Sequence, residues 1–368
     1  MNYILPFILA FGLSLIITPL VRRFAISRGI VDQPDARRIH TKPTPRLGGV
    51  GFFISFLIVV LAYALIAPKT LDFYKAKIFA FDQHLAGVLL GGLVLVIMGA
   101  IDDIRSLKPW QKLLGQILAA LIVVGSGIGV GFLANPFGGV ISLDSLKIPF
   151  HFLGETKYII VWADLLAVFW IVAIINVVNF LDGLDGLAAG VGGIAALILF
   201  FLSLTPTINQ PATAMLLIIF AGSLLGFLPF NFSPAKIFMG DSGSQLIGFI
   251  LAVASIISGG KIATAALVLG FPILDGIWVA SRRILAKKPF WEADKKHLHH
   301  RLLEIGLNQR QAVLFLYVIS IIFGTVALFS TSYQKFEAAL ILFGLMLVLA
   351  IILVMIKWER GKGNQSTD

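Results

Sequence analysis

The sequence predicts an all-α integral membrane protein of about eleven transmembrane helices, each long enough to cross a hydrocarbon core of ~30 Å. Three observations carry this reading. Of the 368 residues, 58% are apolar and only 13% charged, where a soluble domain carries roughly 25% charge. The apolar residues fall in runs of about twenty, the length a spanning helix needs. No hydrophilic block is large enough to fold separately, so the chain divides into a membrane domain, 1–358, and a short polar cytoplasmic tail, 359–368, expected to be disordered.

The expected spans are 3–21, 47–67, 84–101, 112–133, 158–176, 187–204, 212–230, 243–258, 262–281, 311–330 and 337–356. The first apolar run lacks a basic leader and a small-residue cleavage site, so it reads as a retained helix. With the 21–46 loop in the cytoplasm, 22 of the 29 Lys and Arg residues lie on that side. Basic residues accumulate on the cytoplasmic side of membrane proteins, so the N-terminus is expected outside and the C-terminus inside. The net charge of +10 then reflects orientation and contact with anionic membrane lipids rather than nucleic acid. The absence of cysteine excludes disulfides, thiolate metal sites and cysteine nucleophiles.

This orientation gathers the polar inventory on the cytoplasmic face. Asp32, Asp35, Asp102, Asp103, Asp182, Asp185, Asp241, His297, His299 and His300 all fall there. A transporter places polar residues along a path at mid-membrane, often between repeated halves, and neither pattern is visible. A small outer hairpin is expected at Val140–Phe150. The alternating Gly125, Gly127, Gly129 and Gly131 read as close helix packing within the fourth span. Asp164 and Asp275 lie inside spans and are expected to face the protein interior, Asp275 near enough to support the site.

Five constellations carry chemistry. Asp102-Asp103 ends the third span, with Arg105, Lys108 and Lys112 following. Adjacent carboxylates repel and persist beside a cation or proton partner, and Lys112, in the first turn after Pro109, can face phosphate. Asn176, Asn179, Asp182 and Asp185 recur at a spacing of three, which on a helix makes one polar stripe. Gly183 and Gly186 let a ligand approach the backbone, and hard oxygen donors suit Mg²⁺. In Phe238-Met239-Gly240-Asp241-Ser242-Gly243-Ser244, Asp241 can cap the next helix, that helix start attracts phosphate, and Phe238 can stack on a flat base. His297-Leu298-His299-His300-Arg301 suits a sugar pyrophosphate better than zinc. The loop holding Asp35, Arg38 and His40 mixes acids with bases before Pro43, Pro45, Gly48 and Gly49, and so reads as a shaped loop.

These five stretches, in this order and spacing, resemble the polyprenyl-phosphate N-acetylhexosamine-1-phosphate transferases of bacterial membranes, over nearly the whole chain. The resemblance implies ten or eleven spans, a cytosolic active site in the bacterial cytoplasmic membrane, and dependence on Mg²⁺, with Mn²⁺ as a substitute. It implies transfer of N-acetylhexosamine 1-phosphate from a UDP-N-acetylhexosamine to undecaprenyl phosphate with release of UMP, and is compatible with a homodimer. By similarity, Asn179 and Asp241 hold the metal, Asp185 and Phe238 contact uracil beside Gly183, Lys112 binds phosphate, and His297, His299, His300 and Arg301 reach the sugar and pyrophosphate. The histidine motif and the Pro-Thr-Pro-Arg-Leu-Gly-Gly loop resemble the branch that uses UDP-N-acetylglucosamine and starts O-antigen, common-antigen and teichoic acid synthesis. The alternative branch transfers phospho-N-acetylmuramoyl-pentapeptide. A single displacement is expected, with Asp102 taking the lipid phosphate proton and Asp103 orienting the metal or its water; a covalent intermediate on Asp182 is the rival.

Overall fold

The computed structural model describes residues 1–33, 43–73, 77–78, 81–152, 155–258, 262–285 and 297–365. Its helices, in chain order, are α1 (Ile4–Ser27), α2 (Gly48–Ile66), α3 (Gln83–Ile104), α4 (Pro109–Gly125), α5 (Val161–Leu181), α6 (Leu187–Ser203), α7 (Pro211–Asn231), α8 (Asp241–Ile257), α9 (Ile262–Val268), α10 (Gly270–Leu285), α11 (Leu298–Glu304), α12 (Gln309–Phe329) and α13 (Ser332–Gln365). Four antiparallel two-stranded hairpins join some of them: β1 (Val31–Asp32) with β2 (Thr44–Pro45), β3 (Lys77–Ile78) with β4 (Phe81–Asp82), β5 (Phe132–Ala134) with β6 (Val140–Ser142), and β7 (Lys147–Phe152) with β8 (Glu155–Ile160).

Local chemistry sets the helix starts. Asp82 Oδ1 accepts from the Leu85 amide at 3.1 Å, capping α3. Pro109 opens α4, and Gln111 Oε1 accepts from the Lys108 amide at 2.9 Å. At α12, Asn308 and Gln311 bond each other's amides reciprocally, both at 2.9 Å. Each device satisfies a backbone donor that a helix start leaves without an internal partner.

Among the described residues, seven helices are long and apolar enough to cross a membrane: α1, α2, α3, α5, α7, α12 and α13. The ninth expected span is broken instead. Its halves, α9 and α10, bend by 79° at Leu269 and count as an eighth crossing if taken as one. The fourth, sixth and eighth expected spans correspond to α4, α6 and α8, apolar helices of 17 residues each. At 1.5 Å per residue such a helix reaches about 25 Å, slightly under the hydrocarbon thickness. The protein is thus a multi-pass, helical membrane protein. α8 sits at its centre, packed on α2, α3, α5 and α6 and buried from Ser242 to Ile256.

Three local expectations are corrected. The fourth span stops at Gly125, because the Ser126 hydroxyl bonds the Val123 carbonyl at 2.6 Å and the Gly127 amide bonds Val124 O at 2.8 Å. Gly127, Gly129 and Gly131 therefore lie beyond the helix, not inside it. The outer hairpin is two hairpins: Val140–Ser142 pairs backwards with β5, while Lys147–Phe152 pairs forwards with β8. The polar stripe also breaks. α5 ends at Leu181, and Asp182 and Asp185 occupy the turn before α6, where Gly186 is left-handed at φ 85°.

Candidate functional site

The C-terminal ends of α3 and α5 meet the N-terminal ends of α4, α6 and α8 at one end of the bundle, the end opposite the hairpins β5–β8. There they enclose a cavity of about 360 Å³. Asp102, Asp103, Asp182, Gly183, Asp185, Phe238, Asp241 and His300 line it, as do Asp32, Arg46, Asn231 and Gln309.

The cavity floor is a hydrogen-bonded assembly. Lys112 Nζ lies 2.8 Å from Asp102 Oδ2 and 2.8 Å from Asp241 Oδ2, bridging α3 and α8 from α4. The other Asp102 oxygen accepts from the Leu107 amide at 2.7 Å, which folds the α3–α4 turn onto the carboxylate. Asp241 also accepts from Asn179 Nδ2 at 3.2 Å and Gln245 Nε2 at 3.1 Å, while Asn179 Nδ2 reaches Ser244 Oγ at 2.9 Å. Asp103 plays a different part. It accepts from the amides of Asp241 (2.8 Å) and Ser242 (3.3 Å) and from Ser242 Oγ (2.8 Å), so a buried carboxylate holds the first amides of α8. Gly240 permits this clamp. Its φ is 73°, and a Cβ there would overlap the Asp103 carboxyl group.

On the facing wall, Asp185 Oδ2 accepts from the Ala235 amide at 3.0 Å, tying the α5–α6 turn to the loop before α8. Phe238 is half-buried beside it, anchored by Phe238 N to Pro45 O at 2.8 Å and Gly48 N to Phe238 O at 2.9 Å. Arg46 pairs with Asp32 at the rim. Asp182 keeps part of its surface open to the cavity, yet protein closes densely around it. Burial, reinforced by Asp241, Asp103 and Asp185, holds its carboxyl well above the usual range; Arg46 partly opposes the shift.

Asp102, Asp103 and Asp241 each offer an oxygen within 4.8 Å of the others. Hard carboxylate oxygens at this separation fit a divalent cation such as Mg²⁺. Charge points the same way. Six aspartates line the cavity against Arg46, with Lys112 at its base, an acidic lining that favours a cation.

Over most of its length the chain is similar to proteins named as transferases. It is 34% identical to the probable undecaprenyl-phosphate N-acetylglucosaminyl 1-phosphate transferase of Bacillus subtilis, across 95% of this chain and 90% of that protein. Residues 85–259 match the family described as glycosyl transferase family 4. The chain belongs to that family. It is 34% identical to the decaprenyl-phosphate N-acetylglucosaminephosphotransferase of Mycobacterium tuberculosis, covering 95% of this chain and 87% of that one. The phospho-N-acetylmuramoyl-pentapeptide-transferase of Staphylococcus carnosus is 29% identical, over 89% and 98%. As a family 4 glycosyl transferase the chain is an enzyme, a phosphoglycosyltransferase. The family match spans Asp102, Asp103, Lys112, Asn179, Asp182, Asp185 and Asp241, the residues that build the cavity floor and one wall.

The remaining expected residues divide. Asn176 turns away from the floor: its amide bonds Gln116 Oε1 at 2.7 Å and Val172 O at 2.8 Å, a pairing of α4 with α5. In the histidine motif, His300 reaches the cavity. His297 pairs with Asp275 at 2.7 Å, as expected of a supporting acid. Arg301 lines a separate, mostly apolar cavity of about 290 Å³ between α10, α11 and α13. The side chain of His299 lies outside the described residues, as do Asp35, Arg38 and His40. Asp164 sits at the opposite end, accepting from the Ile160 amide at 2.9 Å. Arg46 and Ser242 lie within the motifs quoted above without a role of their own, while Gln245, Asn231 and Gln309 fall outside them. Of these three, Gln245 carries a signal, four residues after Asp241 and hence on the same helix face.

Proposed function

We propose that this family 4 enzyme transfers N-acetylglucosamine 1-phosphate from UDP-N-acetylglucosamine to undecaprenyl phosphate, releasing UMP, as the first membrane step of a cell-envelope polysaccharide. The observation that carries the reading is the cluster of Asp102, Asp103 and Asp241 with Lys112 at the base of one cavity. Two relatives at 34% identity bear N-acetylglucosamine-1-phosphate transferase names, against 29% for the pentapeptide transferase, and this supports the donor. We read α4, α6, α8 and the bent α9–α10 pair as further crossings, giving eleven, with the cavity facing the cytosol of the bacterial cytoplasmic membrane.

The reaction joins two anions. The lipid phosphate oxygen attacks the phosphorus that bears the sugar, and the bond from that phosphorus to UMP breaks. Asp102 takes any proton left on the attacking phosphate, and Lys112, already shared by two carboxylates, turns its ammonium towards phosphate oxygens. Asp102, Asp103 and Asp241 would hold Mg²⁺, or Mn²⁺ in its place, which screens the phosphates and stabilises charge on the leaving UMP. Asp103 keeps its place under the start of α8, and Phe238 with Asp185 forms the wall for the uracil.

The test is UMP release by purified protein in detergent with undecaprenyl phosphate and Mg²⁺, offered UDP-N-acetylglucosamine, UDP-N-acetylgalactosamine and UDP-N-acetylmuramoyl-pentapeptide separately. Release from the first alone, abolished by EDTA or by omitting lipid, is expected. Release only from the pentapeptide donor would move the enzyme to the peptidoglycan branch, and a sugar-phosphate adduct on Asp182 formed without lipid would replace the single displacement.

A further inference from the structure

We propose that Asp275 is a positioning residue that sets the orientation of α11, and through it the placement of His300 in the cavity. Asp275 lies six residues into α10, in the second half of the bent pair. Both of its oxygens engage the start of α11. Oδ2 meets His297 Nδ1 at 2.7 Å, and Oδ1 accepts from the Leu298 amide at 2.8 Å. The residue at the cap position, His297, makes no side-chain cap bond of its own. A carboxylate from a different helix therefore satisfies the first amide of α11, one of the donors a helix start leaves without an internal partner.

The consequence is directional. A seven-residue helix is too short to hold its own register in water, so its azimuth follows its anchors. Successive helical residues differ by about 100°: His300 faces the carboxylate cavity while Arg301 faces the apolar cavity that Asp275 also lines. The buried His297 ring adds a second anchor, stacked on Phe180 at 5.9 Å, next in sequence to Asn179. The clamp thus joins α10, α11 and the end of α5. Asp275 touches the cavity only through these intermediaries, which makes its role positioning.

This inference rests on the transferase reading for its kinetic arm but not for its structural one. Asp275→Ala, Asp275→Asn, His300→Ala and the Asp275→Ala/His300→Ala double variant are compared with wild type in two measurements. Hydrogen exchange of the substrate-free protein reads the amides of 298–304. Asp275→Ala is expected to speed their exchange by about tenfold or more, and Asp275→Asn, which keeps an acceptor oxygen for Leu298, to restore most of the protection. UMP release reads the donor KM: Asp275→Ala raises it about tenfold with a smaller change in kcat, and has no further effect once His300 is alanine, because residues that act through one another are not additive. Unchanged exchange, or an Asp275→Ala effect that multiplies in full with His300→Ala, would overturn the proposal. If wild type releases no UMP from any donor, the transferase reading fails while the exchange measurement still decides the clamp.

Discussion

Lys112 is the only cation bonded to the carboxylate floor among the described residues, and it is shared evenly at 2.8 Å to Asp102 and 2.8 Å to Asp241. Carboxylates brought this close raise each other's energy unless a positive charge lies between them. Lys112→Met removes that charge while keeping much of the stem. Without divalent cations the variant is expected to lose about 2 kcal/mol of stability, the scale of hydrogen bonds to charged groups. Thermal melting in detergent with EDTA reads the loss, and added Mg²⁺ should recover more of the melting temperature in the variant than in wild type. Equal melting of the two in EDTA would show that Lys112 does not neutralise the floor. The same variant should lose at least about 100-fold in kcat/KM, roughly 2.7 kcal/mol of transition-state stabilisation. Sequence spacing put Lys112 in the first turn of α4, able to face phosphate, and the family resemblance implied that it binds phosphate. Its double attachment was not legible, since Asp241 is 129 positions away.

At the scale of elements, the start of α8 shows how a loop becomes a site. Gly240 adopts φ 73° against Asp103, whose carboxylate holds the next amides in line. A side chain at this φ costs of order 1–3 kcal/mol in backbone strain alone, and its Cβ must also displace the Asp103 carboxyl group. Gly240→Ala is therefore expected to misplace Asp241 and lower kcat at least about tenfold, with a reduced melting temperature; wild-type turnover by a variant of unchanged melting temperature would contradict this account. The run Met-Gly-Asp-Ser-Gly-Ser marks the helix start, but Asp241 is the first residue of α8 rather than its cap: Gly240 holds the cap position and Asp103 accepts from the first amides. The helical stripe of Asn176, Asn179, Asp182 and Asp185 was half right, because a spacing of three holds only while the helix lasts and α5 ends at Leu181. Asn176 was drawn by its partner Gln116 into a contact between helices instead.

For the whole molecule, the carboxylate cavity and the hairpins β5–β8 occupy opposite ends of the bundle. The cysteine-free chain makes sidedness directly measurable. Single cysteines are introduced at exposed Ser106, beside the site, and at exposed Ser145, between β6 and β7, and treated with a membrane-impermeant maleimide on spheroplasts. Ser145→Cys is expected to label at once, and Ser106→Cys only after permeabilisation. The reverse pattern would invert the proposed orientation and place the cavity outside.

Composition and hydropathy were enough to make this a helical membrane protein, because a chain in lipid has to satisfy its backbone within helices and keep its charges at the ends. Motif chemistry was enough to nominate Asp102, Asp103, Lys112, Asn179, Asp182, Asp185 and Asp241, since so many carboxylates and amides on one face of an apolar chain exceed what helix capping needs. Only the tertiary structure decided which of them meet. It set Asp103 beneath α8, joined Lys112 to Asp241, moved Asn176 to Gln116 and sent His300 and Arg301 into different cavities. Those outcomes depend on contacts between residues far apart in the chain, where packing and paired charge, not local periodicity, select the partner.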